Sequence, residues 1–298
     1  MSYRDKRVHH LEAYAEKHGL SPLMGGDHKG DGIPRKHILL VNKVPDLTGK
    51  SKSGFVLDPD DQFNKVIDYN LLDEVKEDLY KKEEIHDMAH YLNSSQVLCY
   101  NFFRPLIDSD GHPSRALIEL FANHGISITE KASCQFEYNP PFKGTDGSNE
   151  GTEIDFYVED EYVGTRVYME IKYTESSFGP WGKPRKAVFE RYYERMISEC
   201  TGLYTEKIAY NDDFKYNYQL YRNALRVNST NTFTVFMFPK ESSTLNEQYT
   251  KFSNMIKMEN NIQVWYWEDI VSKELFPLLY EKYFETYPEE ISHHRSRR

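Results

Sequence analysis

Three charged residues are spaced so that they could carry out metal-assisted chemistry on a phosphate group. Asp155 precedes the short sequence Glu170-Ile171-Lys172. In a β-strand, Glu170 and Lys172 would lie on one face while Ile171 points into the core, because side chains alternate. Mg²⁺ takes oxygen ligands from one or two carboxylates and otherwise keeps water or binds phosphate oxygens. Such an ion polarises a phosphate oxygen and activates water, and a nearby ammonium orients that water or neutralises developing charge. The pattern therefore favours phosphodiester hydrolysis.

The surrounding sequence predicts a β-hairpin that would bring Asp155 and Glu170 together. Polar and apolar residues alternate over 153–159 and again over 166–173, as they do in half-buried strands. With the turn midway between the two segments, Asp155 lies directly opposite Glu170. Opposed carboxylates destabilise a strand pair unless a cation lies between them. A register shifted by one residue would place Glu170 opposite an apolar residue and remove the predicted site.

Glu153 faces Lys172 in the same register, and two interpretations of it stay open. It could pair with the lysine in a structural salt-bridge ladder. It could also serve as a further acid beside the metal ion. The Asp, Glu and Lys triple is a weak motif by itself, because it arises easily in charged hairpins.

Composition indicates a folded protein without a broadly basic surface. The 298 residues are 39% hydrophobic and 14% aromatic, which is enough for a substantial core, and the formal net charge is −10. A surface that coats a polyanion needs clustered Lys and Arg, so this charge argues against one. It leaves room for a nuclease that holds cations with acidic residues and uses basic residues only along its cleft.

The sequence contains no run of about 18 apolar residues, and its charged N-terminus lacks the apolar core of a signal peptide. We therefore expect no membrane span and a cytoplasmic location. Cys99, Cys134 and Cys200 are widely spaced and odd in number, which predicts core thiols and neither a disulfide framework nor a zinc knuckle.

Two short motifs suggest other functions but lack parts that those functions need. His86 and His90 have the spacing of zinc ligands on a helix, but no third ligand is evident, so a solvated helix face is preferred. Gly49-Lys50-Ser51 superficially resembles the end of a phosphate-binding loop. Val44 stands where that motif needs its first Gly, so we expect an ordinary surface loop.

Periodicity and turn residues predict the other elements of the chain. Helices are expected at Tyr3–His18, Asp60–Leu92 (one or two), Ser114–His124, Asp212–Val227, Thr244–Met258 and Glu268–Tyr287, and strands at His37–Val44, Ala132–Tyr138, Thr232–Phe238 and Ile262–Trp267. The apolar segment Ser94–Ile107 is expected to pack under the layer that carries the hairpin.

Several polar residues on and between these elements are candidates for the site. The helix Asp212–Val227 has a polar stripe that could contact phosphates or form a solvated face, and it contains Lys215, Gln219, Arg222, Asn223 and Arg226. Glu119, the one acid inside the helix Ser114–His124, is either exposed or near the metal. Lys183 and Arg185 begin a basic stretch after the hairpin.

These residues and the order of the elements resemble the PD-(D/E)XK nuclease superfamily, which has the restriction-endonuclease-like fold. The core of that fold is a helix, a three-stranded meander, a second helix and a further strand. The segments SSQVLCYNFFRPL, EIDFYVED, EIKYTESSFG and YQLYRNAL look like a bacterial group described as restriction endonucleases. The resemblance covers roughly residues 90 to 240. Ile154 stands where the superfamily name has Pro, a substitution that the family tolerates but that makes the motif less diagnostic.

The resemblance implies roles for the candidate residues. Asp155, Glu170 and the backbone carbonyl of Ile171 would be metal ligands, and Lys172 would be the catalytic lysine. Glu119 would match the acid often found on the first core helix. Gln219 and Arg222 would match the polar pair on a later helix near the site. Apart from the resemblance, Glu153, Lys183 and Arg185 are further candidates for nucleic-acid-binding or supporting residues. The implied cofactor is Mg²⁺, for which Mn²⁺ should substitute.

The expected fold is α/β (α+β), a restriction-endonuclease-like mixed central β-sheet flanked by helices, with a mainly helical N-terminal extension. Residues 1–108 are the predicted extension, loop-rich and then helical, packed on the core. Residues 109–290 form the predicted nuclease-like core, and residues 291–298 a disordered basic tail that could attract nucleic acid weakly.

The expected function is a metal-dependent endodeoxyribonuclease of restriction, phage defence or repair. DNA is the expected substrate, RNA is the alternative substrate, and a homodimer is an open alternative to a monomer. A second interpretation is a nucleic-acid-binding or interaction module that keeps the fold without turnover. A third, a carboxylate-pair hydrolase that acts on sugars, ranks last because it gives Lys172 no role.

Overall fold

The computed structural model describes residues 2–17, 22–24, 38–40 and 93–285. Packing divides the chain into two compact units, Met1–Ser94 with Val271–Arg298, and Ser95–Ile270. The predicted domain boundary at residue 108 stays a prediction. The predicted helices of Asp60–Leu92, the motifs at His86, His90 and Gly49, and the basic tail all lie outside the described residues.

In the first unit the predicted N-terminal helix is confirmed as α1, Tyr3–Lys17, with Val8, Leu11 and Tyr14 buried. The short strands β1, Pro22–Met24, and β2, Ile38–Leu40, pair antiparallel. Arg7 and His10 of α1 are hydrogen-bonded to backbone carbonyls at the end of the helix Pro277–Tyr283.

The second unit is built on a five-stranded mixed sheet in the order β3-β4-β5-β6-β7. Its strands are β3, Ser133–Tyr138; β4, Ile154–Asp160; β5, Thr165–Ile171; β6, Thr232–Phe238; and β7, Ile262–Tyr266. The first three form an antiparallel meander, and β6 and β7 are added in parallel. The predicted fold class, a mixed sheet flanked by helices, is confirmed.

The register predicted for the hairpin is confirmed. Phe156 pairs with Met169, and Tyr157 pairs with Tyr168. Continuing this register by one residue places Asp155 beside Glu170. Gly164, with φ +71, lies in the turn, where a residue without Cβ adopts the left-handed conformation freely.

One face of the sheet is apolar and is covered by two helices. These are α2, Ser95–Phe103, which continues into a 3₁₀ turn, and α3, Arg115–Asn123. Phe103 stacks on Phe156 with ring centroids 4.0 Å apart, and Phe121 packs against Trp265. The prediction that the apolar segment before residue 108 packs under the hairpin is confirmed.

The opposite face carries Glu170 and is covered by the helices that follow the hairpin. They are α4, Lys186–Val188; a π-helical turn, Phe189–Tyr193; α5, Glu194–Glu199; α6, Asp212–Tyr216; α7, Tyr218–Ala224; and α8, Ser243–Ser253. Their aromatic side chains form one core cluster with Phe236 and Phe238 of β6. Both faces of the hairpin are therefore covered.

Two predicted helices are interrupted in the structure. The helix expected over Asp212–Val227 breaks at Asn217, which has φ −108 and ψ 31, so that α6 and α7 follow each other. The helix expected over Glu268–Tyr287 is replaced by α9, Trp267–Ile270, and the helix Pro277–Tyr283. Pro277 begins the second helix, and Phe276 before it has φ −136 and ψ 63, because the residue before a proline avoids helical geometry.

Two further predictions concern the cysteines and the membrane. All three cysteines are free and buried, as predicted. Within the described ranges, no helix is long and apolar enough to cross a membrane.

Candidate active site

Asp155 reaches from β4 to the backbone of β5. Its Oδ2 atom accepts a hydrogen bond of 2.6 Å from the N–H of Ile171. Within the described part of the chain, its Oδ1 atom accepts no hydrogen bond, and the side chain is half-buried. One carboxylate oxygen is thus fixed and the other is available to a ligand.

Glu170 is 2% exposed and is held by positive and polar groups on both oxygens. Its Oε1 atom accepts a hydrogen bond from Lys172 Nζ at 2.6 Å. Its Oε2 atom accepts hydrogen bonds from Arg222 Nη2 at 3.2 Å and Asn223 Nδ2 at 2.5 Å. The contacts fix the orientation of the carboxylate, and Oε1, which has a single donor, keeps the capacity to accept a second partner.

Lys172 is held at its backbone as well as at its ammonium group. Its N–H donates to the carbonyl of Met237, and its carbonyl accepts from Trp267 Nε1. Lys172 pairs with Glu170, while Glu153 is exposed and precedes the first residue of β4. The interpretation in which Glu153 pairs with the lysine is therefore wrong for this structure.

Burial and mutual charge set the protonation of the three groups. Burial raises the pKa of Asp155 well above its usual range, and the Glu170 charge raises it further. Burial alone would raise the pKa of Glu170, but Lys172 and Arg222 hold that pKa below its usual value. Burial would lower the pKa of Lys172, but the Glu170 and Asp155 carboxylates raise it. Glu170 and Lys172 are therefore both charged, and any shared proton belongs on Asp155.

The donor set fits a divalent cation with few protein ligands. Among residues 2–17, 22–24, 38–40 and 93–285, no three His, Cys, Asp or Glu side chains are arranged to hold a metal together. The chain thus offers the free oxygen of Asp155, the remaining capacity of Glu170 Oε1 and backbone carbonyls. Mg²⁺ is commonly bound by one or two carboxylates with water and substrate oxygens in its other positions. A cation there would also keep Asp155 ionised.

Glu137 is a site neighbour that the sequence analysis missed. It is 8% exposed, and its backbone has φ 47, in the left-handed region that residues other than Gly rarely adopt. The β3–β4 register places it next to Asp155, and its charge adds to the raised pKa of that carboxyl. The sequence could not show this proximity, because the long segment between β3 and β4 leaves their register open.

The polar stripe of the predicted helix is buried and not solvated at its C-terminal half. Arg222, Asn223 and Arg226 are all at most 8% exposed, and the first two bind Glu170. Arg226 binds Glu150, which no sequence argument had singled out. The sequence suggested a phosphate contact for Arg222, but in the structure this side chain contacts Glu170, the candidate metal ligand.

The remaining candidates do not touch the Asp155–Glu170 pair. Glu119 is exposed on α3 and pairs with Arg115 at 2.7 Å, which is the exposed-helix interpretation of this residue. Lys183 and Arg185 are exposed in the loop before α4. Gln219 lies one turn before Arg222, and its Oε1 atom is buried without a hydrogen-bond partner among the described residues.

Gly179 lies in the loop after Lys172 and is expected to resist substitution. It has φ +82, and a methyl group there would lie 2.7 Å from Gln219 Oε1. We expect Gly179→Ala to lower the free energy of unfolding by about 1–3 kcal/mol, because a residue with a Cβ is strained in the left-handed backbone conformation, whereas the end of the Gln219 side chain can move away. Urea denaturation measures this. Gly182→Ala is the control, since its methyl group would meet nothing within 4 Å; equal stability of the two variants would contradict the prediction.

Comparison with known proteins gives one result. The model of one protein family, described as restriction endonuclease associating with ARP, matches residues 26–287. No curated protein and no solved structure matches the chain. The matched range includes Asp155, Glu170, Lys172 and the residues that hold them.

Proposed function

Because the chain belongs to the family described as restriction endonuclease associating with ARP, we propose that it is a metal-dependent endonuclease that hydrolyses phosphodiester bonds of DNA. The family gives a nuclease-like function and DNA as the class of substrate. The observation that carries the finer proposal is the opposed pair Asp155 and Glu170, with Lys172 Nζ 2.6 Å from Glu170. We propose that this endonuclease acts in restriction, phage defence or repair.

We assign the site to the PD-(D/E)XK type. Support comes from the order of the elements: α3, the antiparallel meander β3–β5, the helices after it, and β6 added in parallel. Asp155 and Glu170 take the positions of the two acids on adjacent strands, and Lys172 follows Glu170 on the same face. Ile154 in place of Pro is accommodated as a fully buried strand residue.

Asp155 and Glu170, with the carbonyl of Ile171, are the proposed ligands of Mg²⁺ or Mn²⁺. When bound, the cation supplies a Lewis acid for the scissile phosphate and lowers the pKa of a coordinated water. Asp155 presents Oδ1, because Oδ2 is fixed by the N–H of Ile171. Arg222 and Asn223 keep Glu170 turned toward the same place.

Lys172 acts as a charged hydrogen-bond donor and not as a general base. Burial alone would lower the pKa of Lys172, but the two carboxylates raise it above its usual value. The side chain therefore keeps its proton at neutral pH. A fixed ammonium beside the phosphate stabilises the negative charge that develops in the transition state. The Glu170 carboxylate and the two backbone hydrogen bonds hold that ammonium in position before substrate binds.

Lys183 and Arg185 are the proposed DNA contacts. Both are exposed, and neither forms an ion pair within the part of the chain that the structure describes. Local cations of this kind can neutralise phosphates although the whole chain carries a net charge of −10. Glu119, by contrast, is left out of the proposed catalytic group because Arg115 is its partner.

The direct test is a cleavage assay with Mg²⁺, Mn²⁺ or EDTA on plasmid, linear and single-stranded DNA and on RNA. We expect cleavage of DNA with either metal, none with EDTA, and none by Asp155→Ala. Lys251→Ala, which removes an exposed lysine from α8, is the control and should match the wild type. Cleavage of RNA but not of DNA would show that RNA is the substrate. Equal activity of wild type and Asp155→Ala would contradict the assignment of Asp155 to the active site.

A non-catalytic nucleic-acid-binding module is the second candidate. The observation that favours it is that Lys172 and Arg222 already neutralise Glu170 without a metal. This alternative predicts no Mg²⁺ or Mn²⁺ binding at Asp155. Calorimetry with wild type and Asp155→Ala distinguishes the two, because only the nuclease proposal predicts a heat of binding that the substitution removes.

A further inference from the structure

We propose that Glu150 is a positioning residue of the active site, which acts through a closed series of side-chain contacts on the orientation of Glu170. This inference rests on the proposed nuclease function. Glu150 lies in the segment that leads into β4, the strand of Asp155. Its partners lie in the turn directly after α7 and on the π-helical turn, so it links the two sides of the site.

The first contact is a buried ion pair with Arg226. Arg226 Nη2 donates to Glu150 Oε2 at 2.7 Å, and the two side chains are 4% and 3% exposed. Arg226 lies in the turn that directly follows α7, so the ion pair fixes the chain at the C-terminal end of that helix. A buried pair has little freedom to rearrange, because removal of either partner leaves an uncompensated charge.

The second contact joins Glu150 to the beginning of α7. Glu150 Oε1 accepts a hydrogen bond from the Tyr193 hydroxyl, and that hydroxyl is also hydrogen-bonded to the Tyr218 hydroxyl at 2.5 Å. Tyr218 is the first residue of α7, and the guanidinium of Arg222 lies over its ring, 5.5 Å from the centroid. Glu150 therefore restrains α7 at both ends.

The series closes on β5. The guanidinium of Arg226 lies 5.7 Å from the centroid of the Tyr168 ring, and Tyr168 shares a strand face with Glu170. The contacts thus run from Tyr168 through Arg226, Glu150, Tyr193, Tyr218 and Arg222 back to Glu170. With α7 restrained at both ends, Arg222 and Asn223 reach Glu170 from a fixed direction.

The π-helical turn explains how Tyr193 reaches Glu150. A π-helical turn inserts a residue into a helix, so neighbouring side chains can both turn inward. Tyr192 and Tyr193 are 7% and 1% exposed. Tyr192 is hydrogen-bonded to the same segment at Ser148 and Asn149, and among the described residues it has no hydrogen bond to Glu150 or to α7. It is therefore a matched control for Tyr193.

The test compares Tyr193→Phe with Tyr192→Phe by two measurements. Each variant removes one buried hydroxyl that binds the segment before β4, so both should lose similar thermal stability. We expect Tyr193→Phe to weaken Mn²⁺ binding, measured by calorimetry, by about threefold to tenfold, less than the loss of a direct partner of a ligand, because Tyr193 acts on Glu170 through Arg222. We expect it also to shift the NMR signal of the Arg222 Nε–H group in metal-free protein. Tyr192→Phe should change neither.

The two measurements separate failure of this inference from failure of the proposed function. If folded Tyr193→Phe matches the wild type in both, the positioning role is overturned. If the wild type binds no Mn²⁺, the proposed function fails, and the Arg222 signal alone then decides whether the contacts control Glu170. Tyr218→Phe breaks the same series from the other side and takes the place of Tyr193→Phe if that variant does not fold.

Discussion

Lys172→Met is expected to lower the rate of DNA cleavage by the Mg²⁺-loaded protein by about 10²- to 10³-fold, the loss typical of one preorganised transition-state donor. The variant should stay folded, because Glu170 keeps Arg222 and Asn223 as partners. Mg²⁺ binding should persist, since both carboxylates remain. Single-turnover cleavage and calorimetry on the same preparation measure the two properties.

The Lys172→Arg variant distinguishes a catalytic role of the ammonium group from a role of the positive charge in stability alone. Arginine keeps the charge beside Glu170 but places a planar, larger group there. A role in stability alone would be rescued by arginine, whereas a role at the phosphate would not. Lys251→Met controls for loss of one positive charge from the surface. Retention of wild-type rate by either substitution at residue 172 would refute the assigned role.

Asp155→Asn is expected to abolish Mg²⁺ binding and to lower cleavage by about 10³-fold or more, because a bound cation contributes several kcal/mol to transition-state stabilisation. In EDTA the same variant should be more stable than the wild type. The wild type must keep a half-buried carboxyl next to Glu170, and the amide carries no charge. Loss of function with a gain of stability is the signature of a residue that serves activity.

The gain in stability of Asp155→Asn over the wild type should increase as pH rises. The pKa of Asp155 is raised in the folded protein by burial and by Glu170, so between its unfolded and folded pKa values the folded state holds the extra proton. Stability of the metal-free wild type therefore falls as pH rises from about 4 toward the folded pKa. The advantage of Asp155→Asn should grow over the same window.

Urea denaturation at several pH values in EDTA and in Mg²⁺ measures this dependence. Mg²⁺ should raise the stability of the wild type, because it binds only the folded state, and should not affect Asp155→Asn. Asp110→Asn, at an exposed loop position, controls for loss of one negative charge. A constant difference between wild type and Asp155→Asn across the pH range would show that Asp155 does not carry the shifted proton.

The hairpin could be predicted from sequence because two independent signals agree there. Alternation gives the faces of both strands, and the turn between them gives the register, so the pairing of Asp155 with Glu170 follows from local information. β6 was predicted with its observed bounds, since its seven residues are apolar or β-branched. The central part of the fold and the acidic pair were therefore accessible without a structure.

The surroundings of the pair were less accessible because they depend on contacts distant in sequence. Helical periodicity placed Arg222 and Arg226 on one stripe but could not tell what that stripe faces. The burial of Glu170 implies positive partners, yet only the parallel pairing of β5 with β6 brings α7 over it. The same reasoning did not decide the position of Glu119, for which the sequence allowed both an exposed helix residue and an acid near the metal.

The connection between β5 and β6 has a consequence for the order in which the active site is assembled during folding. The meander β3–β5 is local in sequence, whereas β6 can pair with β5 only after residues 172–231 have closed as one long loop. Local hairpins form faster than such long-range parallel pairs. We therefore expect the two carboxylates to meet before Arg222, the partner of Glu170, arrives, so that a late step of folding is also the step that completes the catalytic centre.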